Sequence, residues 1–366
     1  MLEVISYRQS VFLLSMILPV TGHFLLLPTI FSFSGHEAWV AILLAAPLSF
    51  LFGFILYRLH TIFPNYTFND MLTQTFGKIA GNFLNIGLLC YFFYLMLITF
   101  YGMIDFIQVI FLPETPRFVI AIPFFLVVLY ASYSGIESIA RISEALLPII
   151  IFTGSTIGIA TIPEKNYKLL LPVFENGLIS LTSSIVLTIA LYGETLLLLM
   201  IHIKKDHAKS RSLMFTNTLL MVLITFMFLG TVTGTISVFG EKLVQTLEYP
   251  AQSIVRLVSF GFIERFDIYG IAVIVLGSVI RASVLLISIY QIFRKWVSSE
   301  KAKWPIQLAI IIAIVFFSFA VIDSHRHFIS IYITNYYPLT AVISFGLPLI
   351  TWIVSEFKRI AKPLKL

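Results

Sequence analysis

Apolar residues dominate this chain in long runs. Short polar stretches divide them into ten segments, each near the ~20 residues that a bilayer core requires. They fall at 8–32, 38–58, 82–112, 118–134, 138–161, 178–202, 212–239, 268–293, 305–322 and 336–357. The pattern predicts an all-α polytopic membrane protein with ten transmembrane helices. The third run exceeds the usual length and is expected to tilt or protrude. Two connections are longer than turns. Residues 65–81 read as a short amphipathic helix with Thr67 or Asn69 at its cap. Residues 240–267 carry Tyr249-Pro250, then Ile254, Leu257, Val258 and Phe262 at helical spacing. They are expected to form outer helices over the mouth of the bundle, as a packed loop or a moving lid.

Two runs are broken near their centres. In the first, Pro19-Val20-Thr21-Gly22-His23 interrupts the apolar pattern before it resumes at 24–28. In the sixth, Tyr192-Gly193-Glu194 does the same. A carboxylate at that depth costs ~2.5–3.5 kcal/mol on insertion scales, so it must face a cavity or a partner. Interrupted spans in corresponding positions of two halves point to a transporter-type binding site. The plainer alternative is one kinked packing helix and one buried ion pair. A helix that restarts in mid-membrane exposes N–H groups and partial positive charge at its new N-terminus. Amides near Gly22, His23, Glu194 and Thr195 would hold a carboxylate, and the carbonyls ending each first half would take an ammonium. Such a site suits a zwitterion. Gly22 and Gly193 lack a Cβ, which permits unwound backbone and close ligand approach. His23 reads as a ligand contact, a titrating group or a packed ring.

Other polar groups fall on helix faces. Tyr91, Tyr94, Ile98, Tyr101 and Asp105 share one face of span 3, and Gly277, Arg281 and Ser288 share one face of span 8. Glu194 and Arg281 lie at one depth and are expected to meet or share water. Asp105 lies ~12 Å farther out, at ~1.5 Å per residue. The three tyrosines also fit ordinary aromatic packing. Glu137, Arg141 and Glu144 stand at i, i+4 and i+7, as an ionic latch or a solvated helix end.

Composition agrees with the pattern: 59% of residues are hydrophobic and 11% charged, against roughly one-quarter charged in soluble domains. The lone Cys90 allows no disulfide frame and no cysteine-based metal site. The net charge of +6 sits between spans. With the N-terminus inside, lysines and arginines divide 16 inside to 7 outside, with Arg281 within a span. Both termini are therefore expected to be cytoplasmic, and the charge needs no nucleic acid to explain it. On that inner face Asn65-Tyr66-Thr67 is discounted as a glycosylation sequon. No cleavable signal is evident: the first run is too long and lacks a small-residue cleavage site. His325-Arg326-His327 is too short to claim a metal. With no Walker loop, triad spacing or zinc pattern, neither enzyme activity, a cofactor nor a metal is expected.

Three stretches resemble one family. Gly135-Ile-Glu137-Ser-Ile-Ala-Arg141-Ile-Ser-Glu144 with Pro148 looks like its fifth-span signature, and Tyr192-Gly193-Glu194 like its sixth-span break. Tyr249-Pro250 followed by Gly261-Phe-Ile-Glu264-Arg265-Phe-Asp267 is similar to its outer loop. The family is the B subunit of the GerA-type spore germinant receptors, within the amino acid–polyamine–organocation superfamily. The resemblance covers nearly the whole chain. It implies one transporter-fold domain with a five-plus-five, LeuT-like inverted repeat, 1–161 and 173–366, with spans 1 and 6 discontinuous. It also implies residence in the inner membrane of Bacillus- and Clostridium-type spores, and assembly with an A subunit and a lipoprotein C subunit. The ligand would be a germinant, often an amino acid. Its pocket would lie among Thr21, Gly22, His23, Tyr94, Tyr101, Tyr192, Gly193, Glu194, Arg281 and Ser288. Glu137, Arg141, Glu144, Glu264 and Arg265 would serve as gating or ion-pair residues. The stretch 21–28 departs from the glycine-rich sequence common in these transporters, and His23 narrows the expected site. A proton-coupled amino acid permease, with Glu194 or His23 titrating, is the second reading. A multi-span scaffold with a vestigial pocket is the third.

Overall fold

The computed structural model describes residues 4–64, 66–175, 177–203, 210–258, 267–297, 303–322, 324–331 and 337–361. Among them the chain is helical, with no strand. Lipid offers no partner to backbone N–H and C=O groups, so each apolar run must close its own hydrogen bonds as a helix. In chain order the α-helices are α1 (Tyr7–Thr21), α2 (Leu27–Ser34), α3 (Ala38–Ile62), α4 (Phe68–Phe76), α5 (Lys78–Ile110), α6 (Arg117–Ser134), α7 (Ile136–Ala160) and α8 (Leu178–Gly193). They continue as α9 (Ser210–Val244), α10 (Pro250–Val255), α11 (Asp267–Phe293), α12 (Lys303–Val321), α13 (His325–Ile331), α14 (Tyr337–Thr340) and α15 (Leu347–Ala361).

Nine helical runs among the described residues are long and apolar enough to cross a membrane. The expected first span is not among them, because a π-helical segment at Gly22–Leu26 divides it into α1 and α2, each shorter than a bilayer. Instead, α2 and α3 count as a single run, Leu27–Ile62, with a corner inside it. Gly35 turns that corner at φ +52° and ψ −123°, ahead of a 3-10 turn at Gly35–Glu37. A side chain there would drive into Glu241. The long third span is confirmed as α5, with 33 residues.

Helices buried on nearly every side lie at the centre of a bundle. From Ser10 onward α1 is buried almost throughout. So are the second half of α8 and the 3-10 segment that continues it, Glu194–Met200. Around this centre α1 packs on α7, α9 and α11, while α8 packs on α3 and α5 on α11. The amphipathic connection forms α4, with Thr67 at the cap position. The Thr67 hydroxyl bonds the Asp70 carboxylate at 2.6 Å rather than a backbone amide. In the other long connection the last turn of α9, past a bend at Gly240, and α10 are helical among the described residues, and Glu264 and Arg265 lie outside them.

Candidate functional site

The two expected breaks are changes of helical pitch, not unwound strands. Pro19 removes one donor from α1, and the π segment follows it. Gly22 keeps helical angles (φ −61°, ψ −49°), and its N–H reaches the carbonyls of Leu18 and Pro19. The N–H of Leu27 reaches back to Gly22. In span 6 the helix tightens to 3-10 geometry at Glu194, whose N–H bonds the carbonyls of Leu191 and Tyr192. The free amides expected at Gly22 and Glu194 are therefore engaged. A local change of helix type satisfies the backbone at less cost than opening it in an apolar core. Nor is there open space beside the glycines. Phe228 fills the face of Gly22, Ser344 that of Gly193 and Val20 that of Gly277.

The expected meeting of Glu194 and Arg281 does occur. Arg281 donates through both terminal nitrogens to the two oxygens of Glu194, Nη2 to Oε1 at 2.9 Å and Nη1 to Oε2. Its Nε donates to the Thr99 hydroxyl at 2.8 Å, and the Thr21 hydroxyl donates to Glu194 Oε2 at 3.1 Å. Both charged residues are 1% exposed. A bidentate, charge-assisted pair of this kind is among the strongest polar contacts a protein forms. It joins α1, α5, the 3-10 segment after α8, and α11. Thr99 was absent from the expected set; it directly follows Ile98 and so lies ~100° around the helix from it. Tyr91 stands within electrostatic reach of the pair, and its hydroxyl faces those of Thr340 and Ser344 without closing a normal hydrogen bond. Thr340 caps, and Ser344 lies within, a second π segment, Ala341–Gly346, which carries no charge or proline and so gave no signal in the sequence.

The remaining expected residues lie apart from the pair. His23 Nδ1 donates to the Pro19 carbonyl at 2.7 Å, and its Nε2 stands 3.2 Å from the Thr231 hydroxyl. This is the packed-ring arrangement. Tyr192 meets Thr225 at 2.6 Å, hydroxyl to hydroxyl. Ser288 donates to the Val284 carbonyl of its own helix. The Tyr94 hydroxyl makes no hydrogen bond among the described residues, and Tyr101 stacks near Phe328 with ring centroids 5.0 Å apart. The three charges at the start of α7 divide into two links. Arg141 pairs with Glu137 at 2.6 Å, whereas Glu144 accepts from Arg8 at 3.1 Å and from Gln9 at 3.2 Å.

A second buried carboxylate was treated in the sequence only as a poorer partner for Arg281. Asp105 Oδ2 accepts from the Tyr249 hydroxyl at 2.7 Å and lies 2.5 Å from His325 Nδ1. This ties α5 to the start of α10 and to α13. Burial pushes the His325 imidazole down, but the hydrogen bond and charge of Asp105 outweigh it and raise it above its usual value. Burial and the same carboxylate push the Tyr249 phenol well up. Among the described residues no group of three or more metal-ligating side chains is gathered.

Fold and site define a polytopic, all-helical membrane protein whose central spans are bridged by an enclosed ion pair. The chain belongs to the family described as spore germination protein, whose model matches residues 4–329. It is 25% identical over 301 residues to spore germination protein XB of Bacillus anthracis, covering 81% of this chain and 82% of that protein. It is 26% identical over 297 residues to spore germination protein KB of Bacillus subtilis (strain 168), covering 77% and 76%. It is 24% identical over 235 residues to spore germination protein YndE of the same organism, covering 61% and 64%.

Proposed function

We propose that this chain is the germinant-sensing membrane subunit of a spore germination receptor. It would bind a small zwitterion, an amino acid, at the level of Glu194 and signal to an A subunit and a lipoprotein C subunit. In this reading the ten runs form the five-plus-five inverted repeat, 1–161 and 173–366. Spans 1 and 6, where helical pitch changes, are the discontinuous pair. The membrane is the spore inner membrane, with both termini cytoplasmic, and the subunit performs no catalysis.

The Arg281–Glu194 pair supports this reading most directly. It presents, inside one protein, the two charges that an amino acid carries. A zwitterion entering there would place its carboxylate on Arg281 and its ammonium on Glu194, replacing each lost contact. A ligand shifts a conformational equilibrium only by binding one state better. Opening a pair that joins four elements and closing it again on a ligand supplies such a difference. Spores carrying Glu194→Gln are expected to need at least ~10-fold more germinant for half-maximal germination, equivalent to ~1.4 kcal/mol. The protein should remain in the membrane by immunoblot. An unchanged dose-response would remove Glu194 from the mechanism.

The buried carboxylate also favours a second reading, a proton-coupled amino acid permease. Counterflow uptake in vesicles that collapses with the proton gradient would select it.

A further inference from the structure

A cavity of about 510 Å³ lies at the lysine- and arginine-rich end of the bundle. It is separate from the ion pair. Gln291 on its wall is ten residues beyond Arg281 along α11, or ~15 Å at ~1.5 Å per residue. Its walls come from α4, the corner between α6 and α7, the residues after Met200, the end of α11 and the start of α12.

Among the described residues its lining is positive: Arg294, Lys295 and Lys303 line it with one carboxylate, Asp70, which pairs with Lys295 at 2.9 Å. The corner at Gly135 (φ +90°) brings the start of α7 into the wall, and that end of a helix favours negative charge.

A second observation is independent of charge. Gln307 lines this cavity and is 0% exposed, yet neither its Nε2 nor its Oε1 has a hydrogen-bond partner among the described residues. Gln291 Oε1 is likewise without one. Buried side-chain amides are nearly always satisfied, so two orphans on one wall call for a partner from outside the chain. They supply one donor and two acceptors, and Gln307 offers the same set whichever way its amide is turned.

We propose that this cavity binds a small organic anion, a phosphate ester or carboxylate that also carries a hydroxyl or amino donor. Arg294 and Lys303 take its charge. Gln307 Nε2 donates to an anionic oxygen, and the two glutamine Oε1 atoms accept from the ligand's own donor. The volume lies within the ~300–1,000 Å³ typical of small-molecule sites. A soluble phosphate ester and the headgroup of phosphatidylglycerol share this chemistry. The site has no residue in common with the Glu194 site, so either reading stands if the other fails.

The test is thermal unfolding of the full chain in neutral detergent, titrated with glycerol 3-phosphate and separately with inorganic phosphate at constant ionic strength. A parallel arm compares nanodiscs of phosphatidylglycerol and of phosphatidylcholine. Glycerol 3-phosphate is expected to raise the midpoint saturably and more than inorganic phosphate, which lacks the ligand's carbon-borne hydroxyls. Arg294→Gln, an exposed position, should weaken that binding roughly tenfold, as for loss of one charge-assisted contact. Gln307→Leu should abolish the gain while raising the ligand-free midpoint, because it removes an unsatisfied amide. A purely structural glutamine would lower that midpoint. Stabilisation by phosphatidylglycerol alone, lost in Gln307→Leu, would assign the anion to the lipid. No saturable gain from any of these anions, or a gain equal in both variants and the wild type, would overturn the proposal.

Discussion

Glu194 and Asp105 are each 1% exposed, but they are held by different kinds of partner. Arg281 cannot lose its proton, and it grips both oxygens of Glu194. Only a molecule that replaces both charges opens that pair without loss. Asp105 is held by a phenol and an imidazole. One of its oxygens, Oδ1, makes no hydrogen bond among the described residues. Its hold on the outer elements depends on the protonation of His325. A buried charge is therefore locked or adjustable according to its partner, and burial alone does not decide which. The locked pair lies in the middle of the bundle. The adjustable one joins α5 to the outer connection.

The largest expected effect is on the locked pair. Removing one partner of a buried ion pair strands the other and costs ~3–5 kcal/mol. Arg281→Met should lower unfolding stability by that amount in detergent or nanodiscs. The double change Arg281→Met with Glu194→Leu should restore most of it, because well-packed apolar replacements of a buried pair are often neutral or stabilising. A double variant as unstable as the single would show that the four joined elements, not the charges, set the cost.

Asp105→Asn comes next. It keeps a hydrogen-bonding group beside Tyr249 but removes the charge facing His325. The expected loss is ~1.5–3 kcal/mol, the range for a hydrogen bond to a charged group. The sign of its pH dependence follows from the raised pKa of His325. A folded-state pKa above the unfolded ~6.5 gives stability that is complete below ~6.5 and is lost as pH rises through the folded value. The stability gap between wild type and Asp105→Asn should narrow as pH rises above ~6.5. A gap that stayed level over that range would erase the distinction between the carboxylates.

The difference between these regions also governs what was legible beforehand. Glu194 and Arg281 stood out because charge inside an apolar run is rare, and matching depth was enough to pair them. Thr99 was hidden because a hydroxyl in an apolar run raises no alarm, and it lies off the stripe that carries Tyr91, Ile98 and Asp105. Asp105 was seen, but its partners come from α13 and the start of α10, outside the spans, where a histidine or tyrosine carries no mark of burial. The glycines at 22 and 193 are read in the sequence as places for unwound backbone and close ligand approach. What approaches in this structure is Phe228 and Ser344. A glycine permits contact without stating with what. Pro19 and Gly22 marked a break, but the choice between unwinding and a π turn depends on whether neighbouring backbone can be satisfied locally. That is a tertiary matter the linear pattern does not hold.

The smallest expected effect serves as the control. Arg141 and Glu137 are one turn apart on α7, and their side chains are 71% and 47% exposed. Glutamate four residues before arginine is the favourable order, worth ~0.3–0.5 kcal/mol in an exposed helix pair. Solvent screens the pair, and two long side chains lose freedom in forming it. Glu144 adds nothing to it, because its carboxylate turns to Arg8 and Gln9 on α1. Arg141→Gln should therefore shift stability by less than ~0.5 kcal/mol, and that shift should fade between low and high salt as surface charges are screened. The Arg281→Met loss should persist at both ionic strengths. If Arg141→Gln proved as costly as Arg281→Met and equally insensitive to salt, exposure would not be what separates the strong pair from the weak one.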